Sequence, residues 1–334
     1  MNPTRRLPSD FSKSAAYPLY AIDPAQNRAW ALHFEREDYR RASFLDQRAL
    51  QHRNVSGWVL SGAELRAAAE PPAPGKRLHW LFHIGHCGSS LVSRLLDLVP
   101  GVLGLREPLP LLTLAHEPAA ERHPWLPTVR SLLARGFDDT DAVVVKPTSI
   151  VATLAPALLH GTGQACFLWV DLRTWLATLL RDEGLVNATL ATEPLRLAGA
   201  PAMSEAATPA TRLARAWLIE QLRWRQLASG ADAPRILDLD FAALIARPSD
   251  TMAALAEHFS LALPGDWEAR VAASGVLTRY AKDATQTFDA DTRRRELAEA
   301  SSRHAAAIAE GLQWARAEIA RQDATAIAAR LQSA

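Results

Sequence analysis

Apolar residues recur along this chain in two rhythms, one of period two and one of helical spacing. Residues 17–23 and 28–35 are apolar-rich runs on either side of PAQN, the pattern of a β-hairpin. A charged helix over 36–50, a short strand over 56–60 and an Ala-rich helix capped by Ser61 complete an N-terminal α+β module of residues 1–70. The stretch PPAPGK (71–76) is too stiff to lie inside a helix and marks a boundary. Beyond it, 77–84 is a near-continuous apolar run, as expected of a strand buried on both faces. Further strands are predicted at 102–106, 142–146, 165–171 and 235–240. Helical spacing occupies 89–98, 126–134, 150–159, 174–182, 211–227 and 251–259. This alternation predicts an α/β fold over residues 77–290, a three-layer arrangement with a parallel sheet of about five strands and helices on both faces. Residues 187–209, rich in Ala, Pro and Thr, carry little pattern and read as a long loop of the lid type. Residues 291–334 read as a C-terminal helical extension, one helix or a pair, that serves packing.

Charge narrows the function classes. The 334 residues carry 37 basic and 36 acidic side chains, a balance that argues against binding nucleic acid through bulk charge. The two cysteines, Cys87 and Cys166, form no CxxC pair, so neither a zinc site nor a disulfide framework is expected. The N-terminus has no apolar stretch behind its early charges, and the longest apolar runs are broken by Asp97, Pro100 and Arg106. The expectation is a soluble cytoplasmic protein with no metal, no membrane and no nucleic-acid partner.

The chemistry concentrates after the first sheet strand, in LFHIGHCGSSL (81–91). Ligands of parallel α/β sheets bind outside the carboxyl ends of the strands. The residues at that end are Gly85, His86, Cys87, Gly88, Ser89 and Ser90. Glycines at both edges let the backbone curl close to an anion. The helix beginning at Ser89 points unpaired amides at the same place, and two hydroxyls add donors. The plain alternative is an ordinary βα turn rich in small residues. The triphosphate pattern GxxxxGK[ST] is absent, since no lysine precedes Ser89 or Ser90.

With its flanks, this loop resembles the 5′-phosphosulfate loop of the sulfotransferase family, [KR]SG[ST][ST] followed by a helix. REP (106–108), VVVKPTS (143–149), LDLDFAALIARPSDTMAALAEHFSL (237–261) and RYAKD (279–283) are similar to later family segments in the same order. The resemblance spans roughly 77–295. It implies a P-loop-type α/β topology and transfer of a sulfuryl group from 3′-phosphoadenosine-5′-phosphosulfate (PAPS) to a hydroxyl or amine of a small-molecule or saccharide acceptor. It implies that residues 85–90 hold the phosphosulfate, with His86 and Lys146 as cationic helpers and Glu107 as candidate base. Arg173, Thr178, Arg181 and Lys282 are its candidates for the rest of the cofactor site. His86 and Cys87 depart from the family's basic residue and serine. The family's arginine with a serine eight residues on is matched only by Arg173, since Arg181 stands at that spacing.

Each assignment has a plainer rival. Glu107 also suits an ion pair with Arg106 or Arg94, and Lys146 suits a solvated strand end. Trp217 and Trp224, seven apart, share one helix face as packing demands, and Arg212, Arg215, Arg223 and Arg225 read as the solvated face of that helix. Two other function classes stay open: a kinase using ATP and magnesium, and a non-catalytic protein with the same fold.

Overall fold

The computed structural model describes residues 6–50, 56–69, 77–160, 163–280, 283–287 and 290–332. Strands β1 (Leu19–Asp23), β2 (Arg28–Leu32) and β3 (Gly57–Ser61) make a small antiparallel sheet in the order β1-β2-β3. Helix α1 (Arg36–Arg41) lies between β2 and β3, and α2 (Gly62–Ala67) follows β3, with Ser61 as its N-cap.

A five-stranded parallel sheet follows, flanked by helices. In chain order the elements are β4 (Arg77–His83), α3 (Ser89–Leu96), β5 (Val102–Arg106), α4 (Leu109–Ala115), α5 (Leu126–Leu133) and β6 (Ala142–Lys146). Then come α6 (Ala155–Leu159), β7 (Ala165–Trp169), α7 (Leu172–Leu180), α8 (Glu183–Ala191), α9 (Glu193–Leu197) and α10 (Pro209–Ala228). Strand β8 (Ile236–Asp240) closes the sheet, before α11 (Phe241–Ala246), α12 (Pro248–His258) and α13 (Trp267–Ser274). A two-stranded ribbon, β9 (Arg279–Tyr280) with β10 (Asp283–Thr287), leads to α14 (Ala290–Arg303) and α15 (Ala305–Arg321).

The sheet order is β5-β6-β4-β7-β8, parallel throughout, as the βα alternation predicts. The chain leaves β4 toward β5 and leaves β7 toward β8. The carboxyl ends of β4 and β7 therefore flank a switch in direction, the place where such sheets bind ligands. Val143, Val144 and Val145 in β6 and Trp80, Leu81 and Phe82 in β4 are all at most 3 % exposed, which is why these strands read as unbroken apolar runs. Trp224 of α10 stacks on Phe167 and tilts against Phe82, with centroids 4.8 and 4.9 Å apart. Trp217, on the same face of α10, is fully buried and donates to the Val170 carbonyl. The apolar core is continuous from Phe11 to Leu331.

Two local expectations are corrected, and one helix, α4, was not anticipated. The helix predicted over 36–50 stops at Arg41, and a 3-10 turn follows at Gln47–Leu50. Buried Arg106 donates to the carbonyls of Tyr39 and Ala42, and Ala42 is already extended. The stretch after REP contains α4, whose Pro110 sits in the first turn, where a missing N–H costs nothing. The loop expected over 187–209 is helical as far as Leu197. Asp182 caps α8 by accepting from the Leu185 amide.

One buried titratable group makes the fold pH-sensitive. His79 stacks on Phe259 at 4.7 Å and accepts from the Gln164 amide. Burial, with Arg77 and His258 nearby, pushes its pKa down to about 4. The unfolded chain takes the proton near the ordinary value of about 6.5. The contribution is thus complete above that value and is lost as pH falls toward 4. The unfolding free energy from urea melts is expected to drop by up to about 3 kcal/mol between pH 7.5 and 4 from this group, and His79→Phe is expected to flatten that limb.

Candidate active site

Residues 84–88 form the turn from β4 into α3 at the switch point. Gly85, His86 and Gly88 have φ of +85°, +52° and +81°, so the backbone curls through the left-handed region three times. Gly88 is the N-cap of α3, and a Cβ placed there would lie 2.0 Å from the ring of Phe241. At Gly85 a Cβ would meet only the Ser149 side chain, at 3.2 Å from its hydroxyl oxygen. Gly88→Ala is therefore expected to cost about 3 kcal/mol, from left-handed strain plus overpacking. Gly85→Ala, with strain alone, is expected to cost about 1 kcal/mol. Urea unfolding of the two variants checks the ranking.

Ser89 and Ser90 are the first residues of α3, 6 % and 7 % exposed, at the helix end whose amides lack helical acceptors. Cys87 is fully buried, and its thiol donates to the Leu168 carbonyl at 3.5 Å. Burial pushes that thiol up to about 12, which keeps it protonated and non-nucleophilic. His86 is half-buried.

Two supports of the loop were not legible as such. His83, at the end of β4, accepts from the Gly85 amide through Nδ1 at 3.0 Å and donates through Nε2 to the Pro147 carbonyl at 3.0 Å. It thereby ties the loop after β4 to the loop after β6. Trp175 of α7 donates to the Gly85 carbonyl at 2.8 Å.

The neighbouring strands bring two more of the sequence candidates together. Lys146 is the last residue of β6, and Glu107 follows the last residue of β5. The Glu107 amide donates to the Lys146 carbonyl at 2.6 Å, and Lys146 Nζ donates to Glu107 Oε1 at 2.5 Å. Lys146 is 1 % exposed and the Glu107 side chain 17 %. Glu107, like His86, has a left-handed backbone, at φ +52°. Such strain in a non-glycine residue costs about 1–3 kcal/mol and gathers at functional sites. The Lys146 charge reaches the loop, where it acts on the Cys87 thiol. Of the partners weighed for Glu107, neither arginine takes it. Arg106 is buried against Asp97, and Arg94 bonds the Arg40 carbonyl and Ser43.

The remaining sequence candidates lie along α7 or beyond the described residues. Arg173 is exposed on the first turn of α7. Thr178 donates to the Thr174 carbonyl of its own helix, and Arg181, the C-cap, pairs with Glu296 of α14 at 3.0 Å. Lys282 lies outside the described residues. Among the described residues, no three His, Cys, Asp or Glu side chains stand close enough to hold a metal ion.

Sequence reasoning missed a buried polar network beside this site. Arg196 of α9, with its side chain 4 % exposed, donates to Glu220 at 2.9 Å and to the Ser149 hydroxyl at 2.8 Å. Arg223 holds the other Glu220 oxygen at 2.8 Å. Arg212 and Arg215 both clamp Glu193, whose side chain is 5 % exposed. The expectation that Arg212, Arg215 and Arg223 form a solvated face is thus corrected: they strap α9 onto α10. Through Ser149 this network ends against Gly85. A weakly patterned segment gave no signal for it.

No family model and no curated protein matches this chain. Solved structures do resemble it. Sulfotransferase STF1 of Mycobacterium tuberculosis H37Rv is 14 % identical over 67 % of this chain and 77 % of its own, with a TM-score of 0.38. The sulfotransferase domain of the Synechococcus PCC 7002 olefin synthase is 11 % identical over 70 % and 95 %, also at 0.38. Mouse sulfotransferase SULT7A1, complexed with PAP, is 9 % identical over 66 % and 74 %, at 0.34. All three similar structures are sulfotransferases. At such scores the topology of this chain rests on its own strands.

Proposed function

We propose that this chain is a sulfotransferase that moves a sulfuryl group from PAPS to a hydroxyl of a small-molecule acceptor. One observation carries the reading: the loop of residues 85–90, curled for close backbone approach, stands at the same sheet end as the Lys146–Glu107 pair. The loop suits a phosphosulfate because its backbone curls through the left-handed region at Gly85, His86 and Gly88, and α3 begins at Ser89 with first-turn amides that lack helical acceptors. Ser89 and Ser90 add hydroxyl donors, and His86 adds an imidazole whose charge varies with pH. Arg173, on the first turn of α7, is the described candidate for the nucleotide's other phosphate.

When bound, PAPS supplies an activated sulfur whose bond to the 5′-phosphate oxygen breaks as the bond from the acceptor oxygen forms. Glu107 takes the acceptor's proton, and Lys146 balances charge on the leaving oxygen. The products are a sulfate ester and adenosine 3′,5′-bisphosphate (PAP). No step requires a metal ligand from this chain. We place the reaction in the cytoplasm, where the two unlinked buried thiols, Cys87 and Cys166, stay reduced. No described helix is long and apolar enough to cross a membrane.

Thermal melting tests the reading. PAP at a hundred times its dissociation constant is expected to raise Tm by roughly 5 °C. ATP with magnesium is expected to leave it unchanged. A shift with ATP and magnesium alone overturns the proposal in favour of a kinase. No shift with either favours a non-catalytic protein.

A further inference from the structure

We infer that His83 is a positioning residue of this site, whose ring sets the anion loop against the Lys146–Glu107 pair. The inference rests on the sulfuryl-transfer reading above and adds to it the side chain that holds the cofactor loop in its binding shape. His83 ends β4 and is 5 % exposed. Its Nδ1 lies 3.0 Å from the Gly85 nitrogen, and its Nε2 lies 3.0 Å from the Pro147 oxygen. A backbone amide only donates and a carbonyl only accepts, so both partners have a fixed sense. Together they select the neutral ring with its proton on Nε2.

Both backbone polar groups of Gly85 are taken by rings. His83 holds the amide, and Trp175 of α7, 1 % exposed, donates to the carbonyl at 2.8 Å. Gly85 is therefore a pin of the loop and not one of its anion donors. The donors for a phosphosulfate lie further along, in the first turn of α3. Between pin and donors the chain passes through left-handed backbone at His86, with φ of +52°. A residue other than glycine holds that conformation only where its surroundings impose it.

The other end of the ring reaches the charged pair. The chain leaving β6 is held at two successive carbonyls, Lys146 by the Glu107 amide at 2.6 Å and Pro147 by His83. Lys146 Nζ then donates to Glu107 at 2.5 Å. Sulfuryl transfer needs both halves in register, since the loop holds the leaving phosphate while Lys146 balances the charge that grows on it. The Lys146 charge already acts on the loop at Cys87. One imidazole sets the spacing between the two halves.

Calorimetric titration with PAP tests this. His83→Asn places a carbonyl oxygen near the Nδ1 position and keeps an acceptor for Gly85, whereas His83→Gln places an amide nitrogen near Nε2 and keeps a donor for Pro147. His83→Asn is expected to stay within about threefold of the unmodified protein in PAP affinity, while His83→Gln and His83→Phe lose about tenfold, the worth of one buried hydrogen bond. Equal losses in His83→Asn and His83→Gln, or undiminished binding by His83→Phe, overturn the inference. A second readout needs no variant. Long-range 1H–15N spectra of the unmodified protein, with the ring assigned through its own backbone resonances, are expected to show His83 neutral and protonated at Nε2. A proton on Nδ1 at neutral pH overturns the inference. No PAP binding by the unmodified protein overturns the sulfuryl-transfer reading and this inference with it. PAP binding without the split between His83→Asn and His83→Gln overturns this inference alone.

Discussion

Glu107→Gln is expected to lower kcat by about 10²–10⁴-fold while the protein still gains Tm with PAP. The side chain keeps its size and can still accept from Lys146, so the loop of residues 85–90 stays in place. What it loses is the ability to take a proton. The substitution also leaves the Lys146 ammonium, 1 % exposed, without its counter-charge, and a lower starting Tm is expected for that reason. The split between turnover and PAP increment is the readout, by product formation and by melting. Retained turnover removes Glu107 from the base role. A lost PAP increment would mean that the residue holds the loop and does no proton transfer of its own.

Arg196→Met is expected to destabilise the fold by about 3–5 kcal/mol, because it strands the Glu220 carboxylate, fully buried, with Arg223 as its remaining close cation. The Ser149 hydroxyl beside Gly85 loses a donor at the same time. The PAP increment is therefore expected to shrink along with the urea midpoint. Pairing the change with Glu220→Gln is expected to cost less than the sum of the two, since both remove one interaction. A loss under about 1 kcal/mol for Arg196→Met would show that the network adds little.

The sheet was legible because its strands are buried on both faces and leave unbroken apolar runs, as in Val143, Val144 and Val145. The loop was legible because a curled backbone needs glycine, and Gly85 and Gly88 stand where φ is positive. Glu107 and Lys146 were legible as residues at strand ends. Their bond to one another was not, since it depends on β5 lying beside β6, a matter of strand order. Arg106 and Asp97 show the same limit: the guanidinium that ends the expected 36–50 helix comes from a strand 64 residues beyond Ala42. The Arg196–Glu220–Arg223 network joins a short helix to the face of a long one, and neither segment's periodicity encodes that meeting.

His83 has one more consequence. Its ring joins the Gly85 amide to the Pro147 carbonyl, so the anion loop and the turn beyond Lys146 share a single fastener. A neutral ring fills both positions only with its proton on Nε2, so protonation at Nδ1 would break the link to Gly85. The two loops thus behave as one fixed jaw.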